Sequence, residues 1–128
     1  DMTQAVLEGV AFAIRDSFEV AKSLGINIER SKLCGGGAKS PLWRKIMANV
    51  LDLPLDIPQT EEGPGYGAAM LAMVGCGAYD SAADCAGALV RTTETVEPDP
   101  TLAARYAERY NKFRQIYPAC KKLFKELK

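Results

Sequence analysis

The chain has 128 residues, with 16 Lys and Arg against 16 Asp and Glu and no His, so its formal charge is zero. A hydrophobic fraction of 48% and a charged fraction of 25% exclude disorder, collagen-like repeats and low-complexity architecture, and a chain of this size can bury a core without disulfide or metal support. The lack of His excludes Ser-His-Asp and Cys-His pairs, an imidazole base and His zinc ligands, leaving carboxylates, Lys, Cys and Tyr for any chemistry.

Residues 4–24 carry Leu7, Val10, Ile14, Phe18 and Ala21 at helical spacing, with Glu8, Arg15, Glu19 and Lys22 read as the outer face, and Gly25 ends this first helix. Asp1 with Gln4 reads as a capping box at the very start of the chain, so the beginning looks like a cut from a longer protein. Ser31–Cys34 reads as a short strand running into Gly35-Gly36-Gly37. Ser40-Pro41 is an N-cap and first-position pair that opens a second helix through Leu42, Ile46, Met47, Val50 and Leu51. Leu55-Asp56-Ile57, between two prolines, is a second strand.

Thr60-Glu61-Glu62 then precedes a helix of small residues over 65–74, able to lie close to a neighbour and closed by Gly75 and Gly77. Residues 81–89 form a short helix and 90–96 an extended segment. Asp99-Pro100 caps a long final helix over 100–127 whose expected core stripe runs through Leu102, Tyr106, Tyr110, Phe113, Ile116 or Tyr117, Cys120, Phe124 and Leu127, with a kink at Pro118. The order predicts an α/β layer, a small parallel or mixed sheet flanked by helices, with further strands expected upstream.

Cys34, Cys76, Cys85 and Cys120 show no C-x-x-C spacing; each lies among apolar residues and reads as a buried free thiol, pointing to a reducing, cytoplasmic setting. No apolar run reaches the roughly 18 residues of a membrane span. Residues 99–128 hold eight basic and three acidic side chains, net +5, against −5 elsewhere. That basic end reads as a solvated helix face, since no aromatic-basic pattern for nucleic acid accompanies it.

The most informative stretch is Cys34-Gly35-Gly36-Gly37-Ala38-Lys39-Ser40-Pro41-Leu42-Trp43-Arg44. Bare backbone after a strand and before a capped helix puts amides and a positive helix end at the carboxyl edge of the sheet, where α/β folds bind nucleotides. It is neither a Walker A loop, because Ala38 and Leu33 stand where glycines are needed, nor the dinucleotide fingerprint, because Ser40 holds its last glycine position. A tight turn remains an equal reading of the glycines by themselves.

This stretch, continuing through Ile46, Ala48 and Leu53-Pro54, resembles the adenosine motif of the FGGY carbohydrate kinases, and within them most of all the xylulose kinases. Glu61-Glu62-Gly63-Pro64 with Tyr66-Gly67-Ala68-Ala69 is similar to the following helix of that family, and Tyr106, Arg109-Tyr110, Phe113, Tyr117-Pro118 and Phe124 resemble its closing helix. The resemblance implies that residues 1–128 are the incomplete C-terminal nucleotide-binding lobe of an actin-like, ribonuclease H-like ATPase fold. It implies an ATP-dependent kinase, with Mg²⁺ accompanying the nucleotide, that phosphorylates D-xylulose.

By the same resemblance, Gly36, Gly37, Ala38, Lys39, Ser40 and Pro41 are the nucleotide-binding residues. The two glycines lie against adenine and ribose, and Ser40 and Pro41 border the base. Lys39 either approaches the nucleotide or is an exposed lysine at a loop end. Some relatives have Asn where Pro41 stands, so a side-chain bond to the base is not carried over. The catalytic Asp, the phosphate-gripping loops and most of the sugar site have no counterpart here, so the fragment alone is expected to be inactive. The Glu61-Glu62 pair reads as charge at a helix start.

Other readings stay open: a gluconate, ribulose or glycerol type of the same family, or a non-catalytic nucleotide-binding or interaction module. A nicotinamide-dependent oxidoreductase is disfavoured by the failed fingerprint. Partners expected are ATP or ADP and a sugar, with neither nucleic acid nor membrane, and surfaces that a parent would cover leave a homodimer open.

Overall fold

A computed structural model describes residues 1–60 and 63–127. Among the described residues five α-helices and three strands follow in chain order: α1 Met2–Ser23, β1 Ser31–Lys32, α2 Pro41–Leu51, β2 Leu55–Pro58, α3 Gly63–Gly75, α4 Ala82–Leu89, β3 Thr92–Val96 and α5 Pro100–Glu126. A one-turn 3-10 helix, Gly36–Lys39, sits between β1 and α2. The sheet order is β1-β2-β3. β1 runs parallel to β2 with Ser31 opposite Leu55, and β3 runs antiparallel to it with Leu55 opposite Val96. The expected mixed sheet flanked by helices is therefore what forms.

Helix α2 is the centre of the molecule because its last six residues, Ile46 to Leu51, are all buried. It is packed between α1, α5 and the sheet, and its core joins Phe12, Leu55, Tyr106 and Tyr110. The Phe12 ring meets Tyr106, Tyr110 and Phe113 at centroid distances of 6.1, 6.0 and 5.3 Å. Buried Asn49 accepts a hydrogen bond from the Asp99 backbone N–H at 2.7 Å, fixing the start of α5 to α2. Asp52, in the left-handed conformation at φ 53°, closes α2 and turns the chain into β2.

The expected inner face of α1 forms at Leu7, Ile14 and Phe18, which pack against the core, but its deepest point falls on two residues outside that stripe. Ala11 and Phe12 are buried while Val10 is 48% exposed. Glu8 and Arg15, expected outside, turn toward the body: Glu8 accepts from the Tyr106 hydroxyl and from Arg109 at 3.1 Å, and Arg15 donates to the Val50 carbonyl at 2.8 Å. Long polar side chains reach back over a helix surface and satisfy carbonyls and hydroxyls there. The capping box is half made, since Asp1 caps Thr3 but Gln4 bonds Glu8 instead.

Other expectations are corrected at the periphery. Among the four thiols only Cys85 is buried; Cys34, in the loop after β1, and Cys76, just past the surface helix α3, are exposed, and Cys120 on the distal, outer part of α5 is intermediate. The α5 core stripe holds for Tyr106, Tyr110 and half-buried Phe113. Beyond it Ile116, Tyr117, Phe124 and Leu127 are exposed, as is Leu102 at the start. Pro118 lies inside α5 without ending it. Helix α3 buries no residue fully and packs beside α4, while the Glu61-Glu62 pair lies outside the described residues. No described helix is long and apolar enough to cross a membrane.

Candidate functional site

The carboxyl ends of the parallel strands β1 and β2 lead into Leu33–Gly35 and Pro58-Gln59, and the glycine turn sits over them. Gly35 adopts φ +86°, a left-handed conformation that reverses the chain out of the strand. The 3-10 turn follows, with Ala38 N–H donating to Gly35 O at 3.0 Å and Ser40 N–H donating to Gly37 O at 3.1 Å. Ser40 then caps α2, its hydroxyl accepting from Trp43 N–H at 3.3 Å, and Pro41 takes the first helical position. The glycine run is thus a hydrogen-bonded turn rather than an open loop.

The three glycines are not equivalent. A Cβ at Gly36 would meet nothing within 4 Å, whereas a Cβ at Gly37 would stand 3.1 Å from Trp43 Cδ1 and Nε1. Gly37 is therefore a close-approach position for the indole, and bulk there strikes Trp43 before any ligand; Gly36 faces open space. Gly63, opening α3, likewise lies against Cys34, with an added Cβ 2.9 Å from its Sγ.

Two small cavities adjoin the turn. One of about 160 Å³ is bordered by Cys34, Gly35, Ala38, Lys39, Arg44 and Gln59. The other, about 140 Å³, lies on the α3 side between Cys34, Pro58, Gly63, Tyr66 and Arg91. Cys34 and Pro58 border both. Gly36, Gly37, Lys39, Ser40 and Pro41 are exposed around the turn, and Ala38 is buried. A larger groove of about 730 Å³ lies elsewhere, between the end of α1 and distal α5.

Two polar arrangements that the sequence did not disclose hold this region. Arg44 on α2 donates from Nε to the Ala38 carbonyl and from Nη1 to Glu94 Oε2 on β3, the latter at 2.6 Å. The only forewarning was a lone arginine four residues after the N-cap. Asp56 on β2 is buried and accepts from the Thr95 hydroxyl at 2.7 Å, with Arg30 and Lys32 nearby at 3.4 and 3.9 Å. The Thr95 hydrogen bond, aided by those two cations, outweighs the penalty of burial and holds the Asp56 carboxyl below its ordinary range. Among the described residues no group of three or more His, Cys, Asp or Glu is placed to hold a metal ion.

The profile of the FGGY family of carbohydrate kinases, C-terminal domain, matches residues 1–76. The chain belongs to the FGGY family. A xylulose kinase of Staphylococcus epidermidis is 31% identical over 127 residues, which cover 99% of this chain and 26% of that protein. An autoinducer-2 kinase of Escherichia coli is 39% identical over 93 residues, covering 71% of this chain and 18% of the relative. The crystal structure of a xyloylose kinase from Brucella ovis superposes with a TM-score of 0.82 at 37% identity, over 95% of this chain and 25% of that one. The chain thus spans about a quarter of the length of these full-coverage relatives. Its sheet and helices are part of the actin-like, ribonuclease H-like fold that FGGY kinases share.

Proposed function

We propose that this chain is the adenosine-binding part of an ATP-dependent sugar kinase, with Gly36, Gly37, Ala38, Lys39, Ser40 and Pro41 forming the wall for the nucleoside. The observation that carries the reading is the combination, at the carboxyl ends of two parallel strands, of a hydrogen-bonded glycine turn with open space over Gly36. A flat base needs a surface free of side chains, and ligands of open α/β sheets bind at that strand edge. Gly37 has the further task of admitting Trp43, which fixes the turn to α2. Ser40 and Pro41 act through the backbone, since the Ser40 hydroxyl is engaged as the cap.

ATP with Mg²⁺ would supply the phosphoryl group. Residues outside this chain would hold the metal and provide the base, because a transfer of this kind is driven by positioning and charge stabilisation from both sides of a cleft. This part alone is expected to lack activity. D-xylulose is the proposed acceptor, supported by the relatives named for that sugar that align along almost the whole chain. An assay of the full-length protein with ATP and D-xylulose, D-ribulose, D-gluconate and glycerol tests it. The account expects kcat/KM to be highest for D-xylulose; a preference for another acceptor refutes the sugar assignment, and no phosphorylation of any of them refutes the kinase reading.

A further inference from the structure

We infer that Arg44 is a positioning residue for the nucleotide, holding the glycine turn against β3 in the conformation that receives the ligand; this rests on the adenosine-binding reading above. Its Nε binds the carbonyl of Ala38 inside the turn while Nη1 binds Glu94 Oε2 at 2.6 Å on a strand 50 residues further along the chain. The Arg44 side chain is 21% exposed and borders the 160 Å³ cavity with Ala38 and Lys39. β3 is bonded to β2, whose carboxyl end forms the floor of that cavity. One guanidinium therefore ties the roof of the site to the sheet beside its floor. The planar fork supplies two donors in fixed geometry, which a lysine ammonium on its flexible stem cannot reproduce at both acceptors.

Trp43 complements this link from the other side. Its indole lies against Gly37 and its backbone N–H donates to the Ser40 hydroxyl, so adjacent residues of α2 grip the turn at Gly37 and Ala38. Glu94 is 54% exposed, so the ion pair contributes little to global stability. Its consequence is local: the Ala38 and Ser40 amides stay bonded within the turn.

The test compares the wild-type chain with Arg44→Met, Arg44→Lys and Glu94→Gln by ¹⁵N NMR, titrating ADP and following hydrogen exchange of the Ala38 and Ser40 amides. Arg44→Met is expected to weaken ADP about tenfold and to speed exchange of both amides by a similar factor, with Glu94→Gln and Arg44→Lys intermediate. Loss of affinity with unchanged exchange would make Arg44 a direct ligand contact and overturn the inference. Unchanged affinity in Arg44→Met overturns it too, while wild-type binding leaves the adenosine reading standing. A wild-type chain whose turn does not respond to ADP sinks both. Should Arg44→Met fail to fold, Glu94→Gln decides alone, because its exposed carboxylate can be neutralised without disturbing the core.

Discussion

Replacing Gly36 and Gly37 one at a time by alanine separates what the fold needs from what a ligand needs. At Gly37 the new methyl stands 3.1 Å from two atoms of the Trp43 ring, against an optimum of roughly 3.5–4.0 Å between carbons, so the indole must move by a few tenths of an ångström. Trp43 is half-buried and can yield, placing the cost near the low end of overpacking penalties, about 1 kcal/mol. At Gly36 no heavy atom lies within 4 Å and φ is not positive. Alanine there restricts the unfolded chain and is expected to stabilise by about 0.4–1 kcal/mol. Urea unfolding followed by the emission of Trp43, the single tryptophan, measures both effects. ADP affinity measured alongside should fall in both variants, by about fivefold or more at Gly36 if a base lies on it, the equivalent of about 1 kcal/mol. A Gly36→Ala chain that is stable and binds ADP like the wild type refutes the placement of the nucleoside; one destabilised by more than about 1 kcal/mol refutes the open geometry of the turn.

Other outcomes follow from the core and its buried polar groups. Phe12→Ala removes the ring that joins α1 to Tyr106, Tyr110 and Phe113, and should cost about 3–5 kcal/mol in urea unfolding. Asp56→Asn loses charge-assisted bonds from Thr95 and Arg30 and should cost about 1.5–3 kcal/mol at neutral pH. Because the Asp56 carboxyl is held below its ordinary value of 3.8, its contribution is present above that pH and is lost as pH falls below it, and the asparagine variant should lack that part of the acid limb. Burial, then the hydrogen bond to Asp16, pushes the Tyr110 phenol up to about 12 from 10.0. Its neutral form is the one the fold accepts, so stability is full below pH 10 and falls between pH 10 and 12, a decline that circular dichroism should show weakened in Tyr110→Phe.

The parts of this molecule written in local chemistry could be read directly. Ser40-Pro41 starts α2 where a cap and a first-turn proline demand it, the small-residue helix and the extended 90s fall where expected, and the glycine run marks the strand edge. Less legible were choices decided by distant partners. The centre of the buried face of α1 is set by Phe12 meeting three rings of α5, so Ala11 and Phe12 lie deepest, Leu7, Ile14 and Phe18 flank them, and Val10 of the expected stripe is left exposed. Ile116, Tyr117 and Phe124 carry a helical stripe, but no described element covers them. The Arg44–Glu94 link spans 50 residues, a pairing that no periodicity discloses.

The most direct test of the central claim is a ¹⁵N amide map of this chain on addition of ADP, which registers binding even in the millimolar range. The account predicts that the largest shifts fall on Gly36, Gly37, Ala38, Lys39 and Ser40, with smaller ones at Cys34 and Gln59 along the strand edge. Shifts confined to the groove between α1 and distal α5, or a turn that does not respond at all, would contradict it.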